Sequence, residues 1–222
     1  NLFSQDLCRP LHVFDADKVA GNLRVHRAAG GETIVALDEK TYTLPTGAMV
    51  ISDDNGVESI AGIMGGDHSG CTEDTVNVFV ESAWWDPIQI ATTGRALKIN
   101  SDARYRFERT VDPVFTPEGL EHAVRMIVDH AGGEASERVV AGAIPDFARS
   151  YKLDAKRVQS LVGMDIPESE QRQTLTALGF RMEGDQAHVP SWRSDVQGEA
   201  DLVEEVARIA SLTKLVGKPL AR

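Results

Sequence analysis

Cysteine is nearly absent: Cys8 and Cys71 are the only two among 222 residues. Two thiols are too few for a disulfide framework, and neither sits in a Cys-x-x-Cys or His-x-x-x-His pair, which argues against structural zinc and for a reduced, intracellular setting. Long apolar runs are missing too. No stretch approaches the ~18 residues of a membrane span. Residues 1–20 carry Asp6, Arg9, Asp15, Asp17 and Lys18 where a signal peptide needs an unbroken apolar segment. A soluble protein without a membrane partner is the expectation. Basic residues are scarce, with 23 Lys and Arg against 34 Asp and Glu, a formal net charge of −11. A surface of that sign repels phosphate and excludes a nonspecific coat for nucleic acid. What is present is ordinary for a globular chain: 42% hydrophobic and 26% charged residues, enough for a real core and against general disorder. The length suits one large or two smaller domains.

The charge is unevenly placed. Residues 1–146 hold 23 acidic and 12 basic side chains, whereas residues 147–222 hold 11 of each. The change falls at the Pro-bearing stretch Ile144-Pro145-Asp146-Phe147, which predicts a linker between a domain at 1–146 and another at 147–222. Inside the acidic part lies a basic island, Arg95, Lys98, Arg104, Arg106 and Arg109 against Asp102 and Glu108.

Periodicity predicts an α+β fold. Short β-branched and apolar runs punctuated by turn residues predict strands at 11–14, 23–27, 33–37 with 41–44, 49–52 and 57–64, the last two joined by Asp53-Asp54-Asn55-Gly56. The nearly unbroken apolar run 76–80 predicts a central strand covered on both faces. Thr116-Pro117-Glu118 opens a helix that Gly132-Gly133 stops. The second part reads as helix 155–162, a helix from Pro167 to Gly179, a hairpin 180–182 with 187–189, and a final helix 199–209.

Four features can carry chemistry. Ala61-Gly62-Ile63-Met64-Gly65-Gly66 allows close approach of backbone or ligand, or is simply a tight turn; its spacing is that of neither a dinucleotide fingerprint nor a Walker loop. His12, in a short apolar run, is either a packed core histidine or a catalyst. Glu81 ends an apolar run beside Trp84 and Trp85, where a carboxylate must be hydrogen-bonded, paired with an island arginine, or at work. The run 101–109 interleaves Arg with aromatics, a pattern that holds phosphate or neutralises surrounding acid. In the second part, Asp195, Asp201, Glu204 and Glu205 are a dense acid group. Residues 201, 204 and 205 share a helix face, where they repel unless something positive lies between them. They complement the helix dipole or offer oxygen ligands to Mg²⁺.

Several ordered motifs, Arg9-Pro-Leu-His-Val-Phe-Asp-Ala-Asp-Lys18, Ser59-Ile-Ala-Gly-Ile-Met-Gly-Gly66, His68-Ser-Gly70, Thr93-Gly-Arg95, Ser101-Asp-Ala103, Tyr105-Arg-Phe-Glu-Arg109, Val111-Asp-Pro113, Pro190-Ser-Trp-Arg-Ser-Asp195 and Asp201-Leu-Val-Glu-Glu-Val-Ala-Arg-Ile209, closely resemble the β subunit of bacterial phenylalanine–tRNA ligase. The resemblance runs the length of the chain and implies an internal fragment: a strand-rich mixed α/β editing domain truncated at its start (1–146), then a small helix-helix-hairpin-helix domain with an acidic Mg²⁺-binding helix that contacts the α subunit (147–222). It further implies a cytoplasmic assembly of two α and two β chains that binds tRNA(Phe). In that assembly the α subunit uses ATP to attach phenylalanine, and the β subunit hydrolyses tyrosine wrongly attached to the same tRNA. ATP is a substrate of the complete enzyme and is not bound by this segment. By the same resemblance, His12 and Glu81 act in the editing pocket, Ala61, Gly62, Gly65, Ser101 and Ala103 shape it, and Asp195, Asp201, Glu204 and Glu205 hold Mg²⁺ shared with the α subunit. Alternatives from other classes are a freestanding hydrolase of mischarged tRNA and a non-catalytic architectural or RNA-binding module. Two departures stand out: Ser101 where threonine is frequent, and Thr110 where the family commonly has glycine.

Overall fold

The computed structural model describes residues 2–215 and 217. The chain forms two compact units, 1–144 and 145–222. In the first, helix α1 (Leu2–Asp6) precedes β1 (His12–Asp15), β2 (Arg24–Arg27), β3 (Thr33–Val35), β4 (Thr41–Thr43), β5 (Met49–Ser52), β6 (Val57–Ile60), β7 (Met64–Gly65) and β8 (Val78–Glu81). Helices α2 (Pro87–Leu97), α3 (Asp102–Phe107) and α4 (Thr116–Ala131) follow. The second unit is β9 (Ser150–Lys152), α5 (Ala155–Val162), α6 (Glu168–Ala177), β10 (Arg181–Glu183), β11 (Gln186–His188) and α7 (Glu199–Ala210). The fold class is α+β, as expected, with antiparallel pairing throughout.

In the first unit β2, β5, β6 and β7 form one sheet in that order, β3 and β4 a hairpin, and β1 pairs with β8. The Asp53 turn works through its carboxylate, which accepts from the Asn55 and Gly56 amides and from Ala20 N at 2.8 Å. That cage of N–H donors supports the charged form and lowers the carboxyl's pKa despite burial. The core gathers Phe14, Ile34, Leu44, Val50, Ile60, Trp85, Ile90 and Phe107. Arg9 is also fully buried; its guanidinium donates to the carbonyls of Ala83 and Asp112 and so ties the approach to β1 to the end of β8 and the approach to α4. Burial costs the cation enough to pull its pKa down to about 10.

Two strand expectations are corrected. The run 57–64 is not one strand: it breaks after Ile60 because Gly62 takes φ +67°, and the chain folds back as β7. A side chain at Gly62 would strain that backbone and overlap Trp85 and Ile90. The run 76–80 is not a central strand. Its strand β8 pairs with β1 alone, and Val76, Val78 and Phe79 are exposed. Its apolar character reflects β propensity rather than coverage on both faces. Sequence reasoning also missed α2 and α3. Asp86 caps α2 by accepting from Ile88 N and Gln89 N, with Pro87 at its first position, and Ser101 caps α3.

In the second unit the order β10, β11, β9 makes a three-stranded sheet, one strand more than the expected hairpin. Val158, Leu175, Phe180, Ala187, Val196, Leu202, Val203 and Val206 form a separate core. Gln171 is buried at the centre, donating to the carbonyls of Ala155 and Ile166. Those bonds satisfy carbonyls beside α5 and ahead of α6 that burial would otherwise leave costly.

Candidate functional site and acid network

The antiparallel register of β1 and β8 sets His12 directly opposite Glu81. Side chains opposite each other leave one face of the sheet together, with β-carbons ~5 Å apart. Both line a cavity of about 280 Å³ whose other walls are Gly62 to Gly65, Leu37 behind β3, and Ser101, Asp102, Ala103 and Phe107 at α3. Gly65 is small of necessity: a β-carbon there would overlap His12 Cε1 and crowd Leu37. The imidazole therefore rests against the backbone of β7, with its other contact an edge-to-face one with Phe14 at 4.3 Å between centroids.

Neither His12 nor Glu81 makes a hydrogen bond or ion pair among the described residues. Both keep some surface on the cavity side, yet apolar walls dominate their electrostatics. Desolvation pushes the Glu81 carboxyl up to about 7 and the His12 imidazole down to about 4. At neutral pH the imidazole is uncharged, burial opposing its protonation, and the carboxyl stands near half-ionisation. Of the three serines that line the cavity, Ser4, Ser59 and Ser101, two have their hydroxyls occupied. Ser101 Oγ donates to Ile63 O at 2.6 Å and accepts from Arg104 N, and Ser59 Oγ donates to Met64 O at 3.4 Å. Neither is placed against a base as an activated nucleophile would be.

The acid group of the second unit is arranged differently. Arg193 Nη2 donates to Asp195 at 2.6 Å and Nη1 to Glu205 at 2.7 Å. Arg208 Nη2 donates to the same Glu205 oxygen at 2.7 Å, and its Nε reaches the other. Asp201 accepts from Gln197 N at 2.7 Å in the first turn of α7, and Glu204 points to solvent.

A family model of the B3/4 domain matches residues 1–132, and one of the tRNA synthetase B5 domain matches residues 151–211. The chain belongs to the B3/4 domain family. Over its full length the chain is 78% identical to the phenylalanine–tRNA ligase β subunit of Ruegeria pomeroyi and 68% identical to that of Cereibacter sphaeroides. It is 50% identical to that of Paramagnetospirillum magneticum. The chain spans 28% of the length of each of these relatives. The resemblance to this β subunit, a component of an aminoacyl-tRNA synthetase, thus holds along the whole chain. Among solved structures, an N-terminal fragment of the phenylalanyl-tRNA synthetase β subunit from Pyrococcus horikoshii matches with a TM-score of 0.43 and 18% identity, over 88% of this chain and 58% of that one.

Within the B3/4 domain, six of the seven residues expected to build a pocket do line one cavity: His12, Gly62, Gly65, Glu81, Ser101 and Ala103. Ala61 does not. It is buried in the core, with its amide bonded to Met49 O. Ser101 lines the cavity with its only proton committed to Ile63 O, so it fixes α3 against the β6–β7 turn and has no hydrogen left to donate to a ligand. Leu37 and Phe107 were not foreseen, and no sequence signal marks them, because they join the wall through tertiary packing. Thr110 adopts φ +70°, which explains why glycine suits that position. A β-branched residue pays strain there.

In the B5 domain the four acids are not gathered as Mg²⁺ ligands. Among the described residues no group of three or more His, Cys, Asp or Glu side chains is placed to hold a metal ion. Arg193 joins Asp195 to Glu205, with Arg208 on Glu205 beside it. These arginines take both Glu205 oxygens and hold the Asp195 and Glu205 carboxyls below their ordinary pKa by direct hydrogen bonds. A hard cation would have to displace guanidinium from the buried Glu205 carboxylate, so the Asp195–Arg193–Glu205 group as arranged does not fit Mg²⁺. Adding Mg²⁺ to this chain at constant ionic strength is expected to leave its Tm unchanged. A rise of several degrees near millimolar Mg²⁺ would show an ion binding the native state.

Proposed function

We propose that the B3/4 domain of this chain hydrolyses the ester between tyrosine and tRNA(Phe), as the editing part of a phenylalanine–tRNA ligase β subunit. In the complete cytoplasmic enzyme the α subunit, with ATP, attaches phenylalanine to the same tRNA, two α and two β chains making the assembly. The observation that carries the reading is the pair at the β1–β8 register, an unpartnered carboxyl and an unpartnered neutral imidazole sharing one small cavity. An activation site that fits phenylalanine discriminates imperfectly against the same ring bearing a hydroxyl, so a second site that requires the hydroxyl is needed.

Glu81 supplies that requirement. Its carboxyl accepts the hydrogen bond of the phenol; with phenylalanine in the cavity it gains no such bond and stays desolvated. Gly62, Gly65 and Ala103 leave room for the ring. His12, uncharged and resting against the Gly65 backbone, orients the ester end or the water that attacks its carbonyl, its neutral ring taking part through a hydrogen bond. With Ser59 and Ser101 held by carbonyls and no serine hydroxyl bonded to His12 or Glu81 among the described residues, water is the attacking group. No step uses a metal.

Hydrolysis of Tyr-tRNA(Phe) and Phe-tRNA(Phe) by this chain, by the full β subunit and by the αβ assembly tests the proposal. Tyrosyl ester is expected to be cleaved by the assembly at least ~100-fold faster than phenylalanyl ester, with rate lost in His12→Ala. Equal rates on both esters, or none on either, would overturn it. Full turnover by the isolated chain would point to a freestanding hydrolase.

A further inference from the structure

The editing pocket explains where an amino acid would lie but not what holds the RNA to which it is attached. The ester sits on the terminal ribose, so the preceding unpaired nucleotide must leave over the pocket rim. One rim belongs to α3, where Asp102 lines the cavity while its side chain stays 64% exposed. Along α3, residues 102, 105 and 106 lie on one face, and Arg109 comes just after the helix. Tyr105 is 55% exposed, unusual for an aromatic ring on an otherwise charged helix. Arg109 lays its guanidinium over that ring, 3.8 Å from the centroid, and is pinned there by donating to Tyr105 O at 2.8 Å and to Glu108 at 3.0 Å. Arg106 is held to Asp102 at 2.9 Å, and Arg104 to Glu108 at 3.0 Å.

From the geometry of this face we propose that Tyr105, braced by Arg109, is a stacking platform for the unpaired nucleotide next to the 3′ terminus of the aminoacylated RNA. The idea rests on the editing reading above. Three observations support it independently of the pocket's chemistry. The ring is rigidly held yet open to solvent, which suits an aromatic that receives a base rather than one that fills a core. Tyr105 stands three residues after Asp102 on the same helix face, which makes it a neighbour of that rim residue. The stretch 101–109 is locally cationic, with three arginines against two acids, in a domain whose net charge is otherwise acidic. A stacked base is recognised by its π face, so the platform accepts any base at that position. The arginine–aromatic pattern of residues 104–109 thereby has a use besides neutralising acid.

The test measures hydrolysis of Tyr-tRNA(Phe) by the αβ assembly carrying Tyr105→Ala, Tyr105→Leu or Tyr105→Phe. The alanine and leucine variants are expected to raise KM roughly tenfold at nearly constant kcat, and Tyr105→Phe to stay within about twofold of wild type. A second arm uses Tyr-tRNA(Phe) made abasic at the penultimate nucleotide. Wild type should fall to the level of Tyr105→Ala, and Tyr105→Ala should lose nothing further. Wild-type KM in Tyr105→Ala and Tyr105→Leu would overturn the platform while leaving Glu81-dependent hydrolysis intact. Loss in Tyr105→Phe equal to that in Tyr105→Ala would overturn it too, since stacking survives that change. Failure of the editing reading is read separately, as unchanged hydrolysis in Glu81→Ala.

Discussion

Glu81→Ala in the complete assembly is expected to lower hydrolysis of Tyr-tRNA(Phe) by roughly 100-fold while changing the slow hydrolysis of Phe-tRNA(Phe) little. The magnitude follows from what is removed. A hydrogen bond between a phenol and a buried carboxylate is worth about 1.5–3 kcal/mol, or roughly 10-fold to 150-fold in kcat/KM. The selectivity matters more than the size. Phenylalanine offers no hydroxyl, so its ester loses no contact when the carboxyl goes. Alanine also relieves the cost of a desolvated acid left without a partner, so the variant should fold at least as well as wild type. Glu81→Gln separates acceptor from charge: the amide oxygen still accepts, and an intermediate rate is expected. Steady-state deacylation of both esters checks this, and a fall of equal size on both would show that Glu81 serves the ester rather than the ring.

How much of this was legible in the sequence depended on how local the cause was. Glu81 drew attention because a carboxylate follows Val76-Asn-Val-Phe-Val80, and the structure places it partly buried at the end of β8 without a partner. The turn at Asp53, the start of α4 at Thr116-Pro117 and its stop at Gly132 are encoded within a few residues of themselves. The same local rules misled at 76–80, since an apolar run cannot tell how many neighbours a strand will have. Helix α2 carried a readable start, Asp86-Pro87, but Ile88 faces solvent and the stretch Ala91-Thr-Thr-Gly94 has weak helical preference, so periodicity did not report it. Of the three acids read as sharing a face of the last helix, Glu205 meets arginine, while Asp201 accepts from a backbone amide and Glu204 is exposed. One such arginine, Arg193, lies only two residues from Asp195 but 12 from Glu205, and only folding shows that one guanidinium serves both.

Acid–base linkage in the pocket yields a prediction as large as the first. Glu81 is raised from 4.5 to about 7 on folding, so the folded state keeps a proton that the unfolded chain releases. Its contribution is fully present below pH 4.5 and is lost as pH rises toward 7. His12 is lowered from 6.5 to about 4, so the unfolded chain binds a proton that the folded state refuses. Its contribution is present above pH 6.5 and is lost as pH falls through 4. Each amounts to roughly 3 kcal/mol over its window, and between pH 4.5 and 6.5 the two slopes are opposite and nearly equal. The wild-type chain therefore hides both. Urea unfolding from pH 4 to 7.5 should reveal them by difference. The stability of Glu81→Gln relative to wild type should climb by roughly 3 kcal/mol from pH 4.5 to 7 and then level off. That of His12→Asn relative to wild type should fall by a similar amount between pH 4 and 6.5. Taking differences cancels the many surface carboxylates that titrate in both proteins. A flat difference for Glu81→Gln would mean that the carboxyl is hydrated in the native pocket, and the phenol would then compete with water for it. That result would remove the physical basis for selecting a hydroxyl, because only a desolvated carboxyl left unpaired makes the wrong ring costly to accept.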